Sequence, residues 1–250
     1  MLKLRIIPTL LFKDTVLVKS IQYGSLRRVG SARQAVRVNN LRNVDELLFV
    51  DIGATRTNSI PDVQLIDDIA DDCFMPLTVG GGIKTLHDAR SLFAAGADKI
   101  TLNSAIASNP GIVQEIAQIF GSQAVVASID VRCIDGQYTC YTNNGENPLD
   151  TPPAELAQRL QSLGAGEILL NSIDKDGTMD GYDLTIIKKI SEATQLPIIA
   201  SGGAGKLEHF AQAAAAGANA LAAASLFHFT EITPSDVRNF LGEQGFNVRK

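Results

Sequence analysis

The chain has 250 residues, 45% of them hydrophobic and 20% charged, and a formal net charge of −5 at pH 7. That balance suits one globular domain over residues 1–250, long enough to bury a large core, and lacks the basic footprint of a nucleic-acid binder. Cys73, Cys133 and Cys140 have no metal or redox spacing, the N-terminal stretch is too charged for a signal peptide, and the alanine-rich run 211–224 is broken by Gly217 and Asn219, so the expectation is a cytoplasmic chain with no metal site and no membrane span.

In chain order, the first apolar run covers 5–11, begins at Arg5 and ends at Leu11. A long connection over 12–30 leads to a helix over 31–43. A strand over 46–52 starts with Glu46, and a helix over 59–73 follows. The strand at 77–80 ends in the turn Gly80-Gly81-Gly82 before a helix over 85–95. Next come a strand at 98–103, starting Asp98-Lys99 and ending at Asn103-Ser104, and a helix over 109–120. The strand at 124–130 ends in Asp130, and a second long connection, 131–152, follows it. The rest alternates: helix 153–164, strand 167–171 from Glu167, helix 183–194, strand 197–201, helix 206–216, strand 219–224 and helix 233–244. Gly96, Gly164 and Gly217 follow helical patterns and read as C-terminal stops.

Eight strands alternate with eight helices, and the strands are apolar at successive positions, as in parallel sheets buried on both faces. The chain also repeats itself. Pro76-Leu77-Thr78-Val79-Gly80-Gly81-Gly82-Ile83 returns, half a chain later, as Pro197-Ile198-Ile199-Ala200-Ser201-Gly202-Gly203-Ala204, and Ala95-Gly96-Ala97-Asp98 returns as Ala216-Gly217-Ala218-Asn219. Repeated βαβ units of this number predict an α/β fold, a (β/α)8 TIM barrel with a two-fold half-barrel repeat.

Three constellations carry chemistry. Gly81-Gly82 with Asn103-Ser104, and Gly202-Gly203 with Ser201, Ser225 and Asp176-Gly177, predict two phosphate cradles facing each other across the barrel mouth. A ligand with a phosphate at each end would suit them. Asp130 ends its strand at the mouth, where barrels keep their catalytic groups, and reads as a general acid or base. Its half-repeat mate is Leu11, which cannot exchange protons; Asp14 stands further along, in the connection. Arg5, Glu46, Lys99 and Glu167 start strands with lumen parity, so two cations and two anions should pair on the barrel floor, either as a structural plug or as a gate. His87, His209 and His228 lack ligand spacing and read as surface or packing residues, and Phe227-His228-Phe229 as a packed turn.

These residues bring a family into view. Arg5-Ile6-Ile7-Pro8, Thr78-Val79-Gly80-Gly81-Gly82-Ile83, Gly96-Ala97-Asp98-Lys99, Ile129-Asp130, Asp174-Lys175-Asp176-Gly177-Thr178, Gly181-Tyr182-Asp183 and Ala200-Ser201-Gly202-Gly203-Ala204-Gly205 closely resemble the cyclase subunit of imidazole glycerol phosphate synthase, over essentially the whole length. The resemblance implies a ribonucleotide-like bisphosphate substrate across the mouth, a glutaminase docked on the floor, and ammonia passing between them through the barrel. It makes the floor charges an ammonia gate, Asp98 a contact to the glutaminase, and Lys19 a residue that reaches over the substrate. It implies no metal and no organic cofactor.

The departures from the family all concern the mouth. The family has catalytic aspartates at the ends of strands 1 and 5; here Asp130 is kept and the other is Leu11. Thr15 and Ser20 replace glycines in the first connection, and Asn144 and Asn171 stand where hydroxyl residues are usual. The expectation is therefore a divergent synthase subunit that takes ammonia from a glutaminase and passes it to another acceptor, similar to the cyclase-like proteins that act with a sugar amidotransferase in surface-polysaccharide synthesis. The alternatives are an authentic histidine-pathway cyclase and a non-catalytic scaffold that activates a glutaminase.

Overall fold

A strand such as Leu47-Leu48-Phe49, apolar on both faces, needs cover on both sides. The computed structural model, which describes residues 3–249, supplies it with helices outside and side chains within a closed barrel. Eight parallel strands form the ring: β1 (Arg5–Lys13), β4 (Leu47–Asp51), β5 (Leu77–Gly80), β6 (Lys99–Leu102), β7 (Val125–Ile134), β10 (Glu167–Ser172), β11 (Ile198–Ser201) and β12 (Ala220–Ala223). Pairing of β12 with β1 and of β7 with β10 closes the circle. The main helices are α1 (Ala32–Leu41), α3 (Val63–Ala70), α4 (Leu86–Ala94), α6 (Gly111–Phe120), α7 (Pro153–Ser162), α8 (Leu184–Ala193), α9 (Leu207–Ala215) and α11 (Pro234–Glu243). This is the (β/α)8 barrel expected from the alternation and the repeat.

Local chemistry sets the helix ends. Thr85 and Asp88 form a capping box at the start of α4, as Thr233 and Asp236 do at α11. Gly96, Gly164 and Gly217 take positive φ after α4, α7 and α9, the conformation that ends a helix. Short helices α2 (Ala54–Thr57), α5 (Ser104–Ser108) and α10 (Ser225–Phe229) follow strands at the mouth.

Two expectations are corrected. The connections 12–30 and 131–152 are not plain loops. β1 continues to Lys13 and turns into β2 (Val16–Lys19), which pairs with β3 (Arg27–Gly30); β7 continues to Ile134 and turns into β8 (Gln137–Thr142), which pairs with β9 (Asn147–Leu149). The second hairpin turns on Asp135-Gly136, both at positive φ, a two-residue turn whose twist matches the strands it joins. Lys19 therefore sits on a strand. Phe227-His228-Phe229 is also not a turn but most of α10, with the Phe227 ring 6.3 Å from that of Phe210.

The apolar interior has two parts. The larger lies between the strands and the helices. A smaller, separate cluster fills the lumen: Ile7, Leu48, Val126, Leu169, Ile199, Ala220 and Ala222. Along the axis the lumen thus runs from a charged floor, through one apolar layer, to a polar mouth.

Candidate functional site

The floor forms first. Arg5 and Lys99 each contact both Glu46 and Glu167: Arg5 at 2.8 and 2.7 Å, Lys99 at 3.0 and 2.9 Å. Thr78 Oγ1 donates to the remaining Glu46 oxygen at 2.8 Å. Glu46 lies one residue before its strand, and its side chain is only 3% exposed. Burial works to lower the pKa of Arg5, but Glu167 and Glu46 outweigh it and leave the pKa above its ordinary value. Burial works to raise that of Glu167, and Arg5 and Lys99 hold it below the usual carboxylate range. The four charges expected to converge do so, as a closed ring of alternating sign.

Asp98, beside Lys99, has a structural task. Its carboxylate accepts the Leu77 N–H at 2.8 Å, pinning β5 to the start of β6. Asn219 does the same for Ile198 at 2.9 Å in the second half. Asp98 remains exposed on the rim.

At the mouth, one cavity is lined by every residue expected there: Lys19, Gly81, Gly82, Asn103, Ser104, Asp130, Asp176, Gly177, Ser201, Gly202, Gly203 and Ser225. The glycine turns are shaped by close approach. A Cβ on Gly81 would lie 2.2 Å from the Asp51 carbonyl oxygen, and one on Gly82 1.9 Å from that of Ser59. In the other half a Cβ on Gly202 would lie 2.7 Å from the Ser172 oxygen, and one on Gly203 2.1 Å from that of Gly181. All four have positive φ. Glycine is therefore required by the fold at both turns, apart from any ligand. Ser104 and Ser225 begin α5 and α10, whose first turns carry no side-chain cap; their backbone N–H groups are available to an anion.

Asp130 lies inside this cavity, between donors. Ser128 Oγ donates to Oδ1 and Tyr23 Oη to Oδ2, each at 3.0 Å. Burial pushes the Asp130 carboxyl up to about 6, against these two hydrogen bonds, with Asp176 adding to the rise. A carboxyl that titrates near neutrality is matched to proton transfer. Leu11 pairs with Val50 in register, as Asp130 pairs with Asn171, so leucine stands at the equivalent level of the first half. Asp14 sits exposed at the hairpin turn, outside the cavity lining.

Lys19 is buried, and its Nζ lies 2.8 and 2.6 Å from the two oxygens of Asp176. The Asp176 side chain is thus committed to a lysine rather than turned toward an anion. Gly177 permits a close crossing, since a Cβ there would meet the Ser20 oxygen at 2.3 Å.

Sequence reasoning missed several mouth residues. Asp51, at the end of β4, lines the cavity with one oxygen accepting from the Gly53 and Ala54 N–H groups, and burial raises its pKa. Lys13, Arg56 and Lys84 place cations at the rim beside the first glycine turn. Tyr23 enters from the segment between β2 and β3, a position that no periodicity marks. Thr9 and Thr101 present buried hydroxyls to the cavity, with no hydrogen-bond partner among the described residues. His209, expected to be a surface or packing residue, is buried and accepts the Gly205 N–H at 3.1 Å. Among the described residues no group of side chains could hold a metal ion, all three cysteines are free, and no helix is long and apolar enough to cross a membrane.

Residues 5–233 match the family model described as "Histidine biosynthesis protein". The chain belongs to that family. Its relatives include the imidazole glycerol phosphate synthase subunit HisF of Chlorobaculum tepidum, 44% identical over 250 residues, and that of Exiguobacterium sibiricum, 41% identical over 249 residues, with 100% of both chains covered in each case. A Campylobacter jejuni chain, provisionally named imidazole glycerol phosphate synthase subunit hisF2, is 44% identical over 249 residues, covering 100% of this chain and 99% of its own. The histidine biosynthesis family assignment therefore rests on full-length similarity.

Proposed function

We propose that the chain is the ammonia-using synthase subunit of a two-component glutamine amidotransferase of the imidazole glycerol phosphate synthase type. The observation that carries this reading is the layering of the lumen: a closed charge ring at Arg5, Glu46, Lys99 and Glu167, an apolar layer narrowed by nothing larger than alanine on β12, and a polar mouth between two glycine turns. A glutaminase docks on the floor, with Asp98 at the contact rim, and the ring opens for ammonia. Gly81, Gly82, Asn103 and Ser104 hold one phosphate of the substrate; Gly177, Ser201, Gly202, Gly203 and Ser225 hold the other. Asp130 moves protons. Lys19, anchored by Asp176, keeps the first hairpin over the ligand. The names of the relatives favour imidazole glycerol phosphate formation, a lyase-class step, over the surface-sugar role.

The test is an assay of the purified chain with free ammonium and the ribonucleotide substrate of the named relatives. Product formation supports the reading. Absence of product, with a glutaminase still activated in complex, favours the scaffold alternative.

One observation favours a second reading. A mechanism using two carboxylates would find leucine at position 11, so the ammonia could serve another acceptor, such as a surface sugar being amidinated with a sugar amidotransferase. Leu11→Asp decides between them. A rise in ribonucleotide turnover of ~10²-fold or more, the usual scale of a general acid or base, means that the mouth has been retuned away from that substrate; an unchanged rate means that the first-strand acid is dispensable here.

A further inference from the structure

Leu11 leaves Asp130 without a carboxylate at the matching position of the first half, yet a second proton carrier reaches the same place by another route. The segment between β2 and β3 crosses the mouth. Within it Gln22 and Tyr23 both take left-handed backbone conformations, at φ 51° and 61°. Two consecutive non-glycine residues in that region cost on the order of 1–3 kcal/mol each and are found where a structure over-determines them. Here Gln22 N donates to the Asp176 carbonyl and Gln22 Nε2 to that of Asp174, both at 2.8 Å, while Gly24 N closes onto the Ile21 carbonyl at 2.8 Å.

The strained pair turns the Tyr23 side chain down into the mouth. Its ring lies against Gly145, where a Cβ would come to 3.0 Å. Its hydroxyl donates to Asp130 Oδ2 at 3.0 Å and accepts from Asn171 Nδ2. Asn171 is the register partner of Asp130 on β10. A phenylalanine would fill the same space without addressing the carboxylate.

We propose that Tyr23 is the second catalytic proton-transfer group of the mouth, paired with Asp130, and that the pair acts on a phosphorylated substrate whose carbonyl carbon takes up ammonia. This rests on the synthase reading above. As the N–C bond forms, the C=O π electrons move to oxygen. The Asp130 carboxylate removes a proton from the newly bound nitrogen, and Tyr23 gives its phenolic proton to the developing alkoxide. The Asp130 carboxylic acid then returns a proton to the phenolate along their shared hydrogen bond. Both groups are restored, a carbinolamine is formed, and no oxidant or reductant is consumed. A phenol, with an ordinary pKa near 10, is a better match to an alkoxide than a second carboxyl. Burial, with the Asp130 and Asp176 charges adding to it, holds the Tyr23 phenol protonated well above neutrality, ready to donate.

The experiment compares the full-length protein with Tyr23→Phe, using ammonium chloride and the ribonucleotide substrate of the named relatives. The variant keeps the ring and loses the proton. The expected result is a fall in kcat of ~10²–10⁴-fold, KM little changed, and an altered pH profile. A carboxyl-resolved titration by infrared or NMR, with Asp130→Asn to identify the signal, is independent of turnover. Loss of the Tyr23 hydrogen bond should move the Asp130 pKa upward. If the unmodified protein turns over and Tyr23→Phe stays within twofold of it, Tyr23 is not catalytic although the synthase reading stands. If the Asp130 signal titrates identically in both, the pair itself is refuted. If the unmodified protein makes no product, the synthase reading fails and takes the catalytic role of Tyr23 with it.

Discussion

Lys19 Nζ lies 2.6 Å from Asp176 Oδ2, joining a hairpin near the N-terminus to the segment after β10, and both side chains are buried. Burial lifts the Asp176 carboxyl above its usual range even though Lys19 opposes the shift. The pair therefore works as a latch on the mouth rather than as a free cation waiting for a ligand.

Breaking this latch from the lysine side leaves a buried carboxylate without its partner. Removing one member of a buried pair costs about 3–5 kcal/mol, and the cost falls when the survivor can take up a proton. Lys19→Met should therefore lower the melting temperature more at pH 8 than at pH 5, because the unpartnered Asp176 carboxyl, already raised by burial, takes up a proton more readily as the pH falls. Thermal unfolding at the two pH values checks this; an equal loss at both would mean that Asp176 is not the group left exposed.

Asp130 is shifted in the same direction as Asp176. Its pKa rises on folding, to about 6, so the folded state binds its proton more tightly than the unfolded chain does. The associated stability is fully present below pH ~4 and is lost as pH rises through about 6, a total of about 3 kcal/mol at 1.36 kcal/mol per pKa unit. Asp130→Asn removes the buried charge and should raise the melting temperature at pH 8 but not at pH 4. A variant less stable than the parent at pH 8 would show that the hydrogen bonds from Tyr23 and Ser128 outweigh the burial cost.

Much of this was readable from the residues alone. The fully apolar strands and the repeated glycine turns fixed the barrel, because parallel strands covered on both faces leave few other folds. The floor ring was visible through parity: Arg5 and Leu11, or Glu167 and Asn171, share a face because side chains alternate along a strand. The hairpins lie within two connections whose length hides their strands, although Asp135-Gly136 marks one turn plainly. Tyr23 and Asp51 were invisible for a different reason. Tyr23 meets Asp130 through an irregular segment held by Asp174 and Asp176, contacts with no period, and Asp51, the last residue of β4, is one residue off the lumen parity of Leu48 and Val50. The Lys19–Asp176 pair joins residues far apart in the chain, so the tertiary fold alone brings them together.

The glycine turns yield a prediction independent of function. A Cβ on Gly203 would stand 2.1 Å from the Gly181 carbonyl oxygen, a backbone atom, at a φ of 107° that side-chain residues rarely adopt. Gly203→Ala should cost more than the ~1 kcal/mol of an average point substitution and should shift the chain segment that carries Gly181. Gly245, also at positive φ but with nothing near its Cβ position, is the control: Gly245→Ala pays for backbone strain alone and should be milder. Denaturant titration of both variants makes the comparison, and equal losses would contradict the close-approach account.

The floor ring joins stability to transfer. Most barrels fill such a layer with branched apolar side chains, whereas here four charges are withdrawn from water and depend on one another. Lys99 bridges both carboxylates through one atom, with Nζ at 3.0 Å from Glu46 and 2.9 Å from Glu167. Lys99→Ala leaves Arg5 to hold two carboxylates that now repel each other across a gap. Stability should fall by about 3 kcal/mol, the lower end for breaking a buried pair. Glu167, held below its usual pKa, contributes stability that is present above the ordinary glutamate value near 4.3 and is lost as the pH drops through its lower folded value, so the deficit of the variant should shrink in acid. If the ring is also a gate, Lys99→Ala should uncouple glutamine hydrolysis by a bound glutaminase from ammonia use at the mouth, while inorganic phosphate still binds at both glycine turns. The measurement is the ratio of ammonia released to solution against product formed. A variant that loses stability but keeps this ratio would make the ring a structural plug and nothing more.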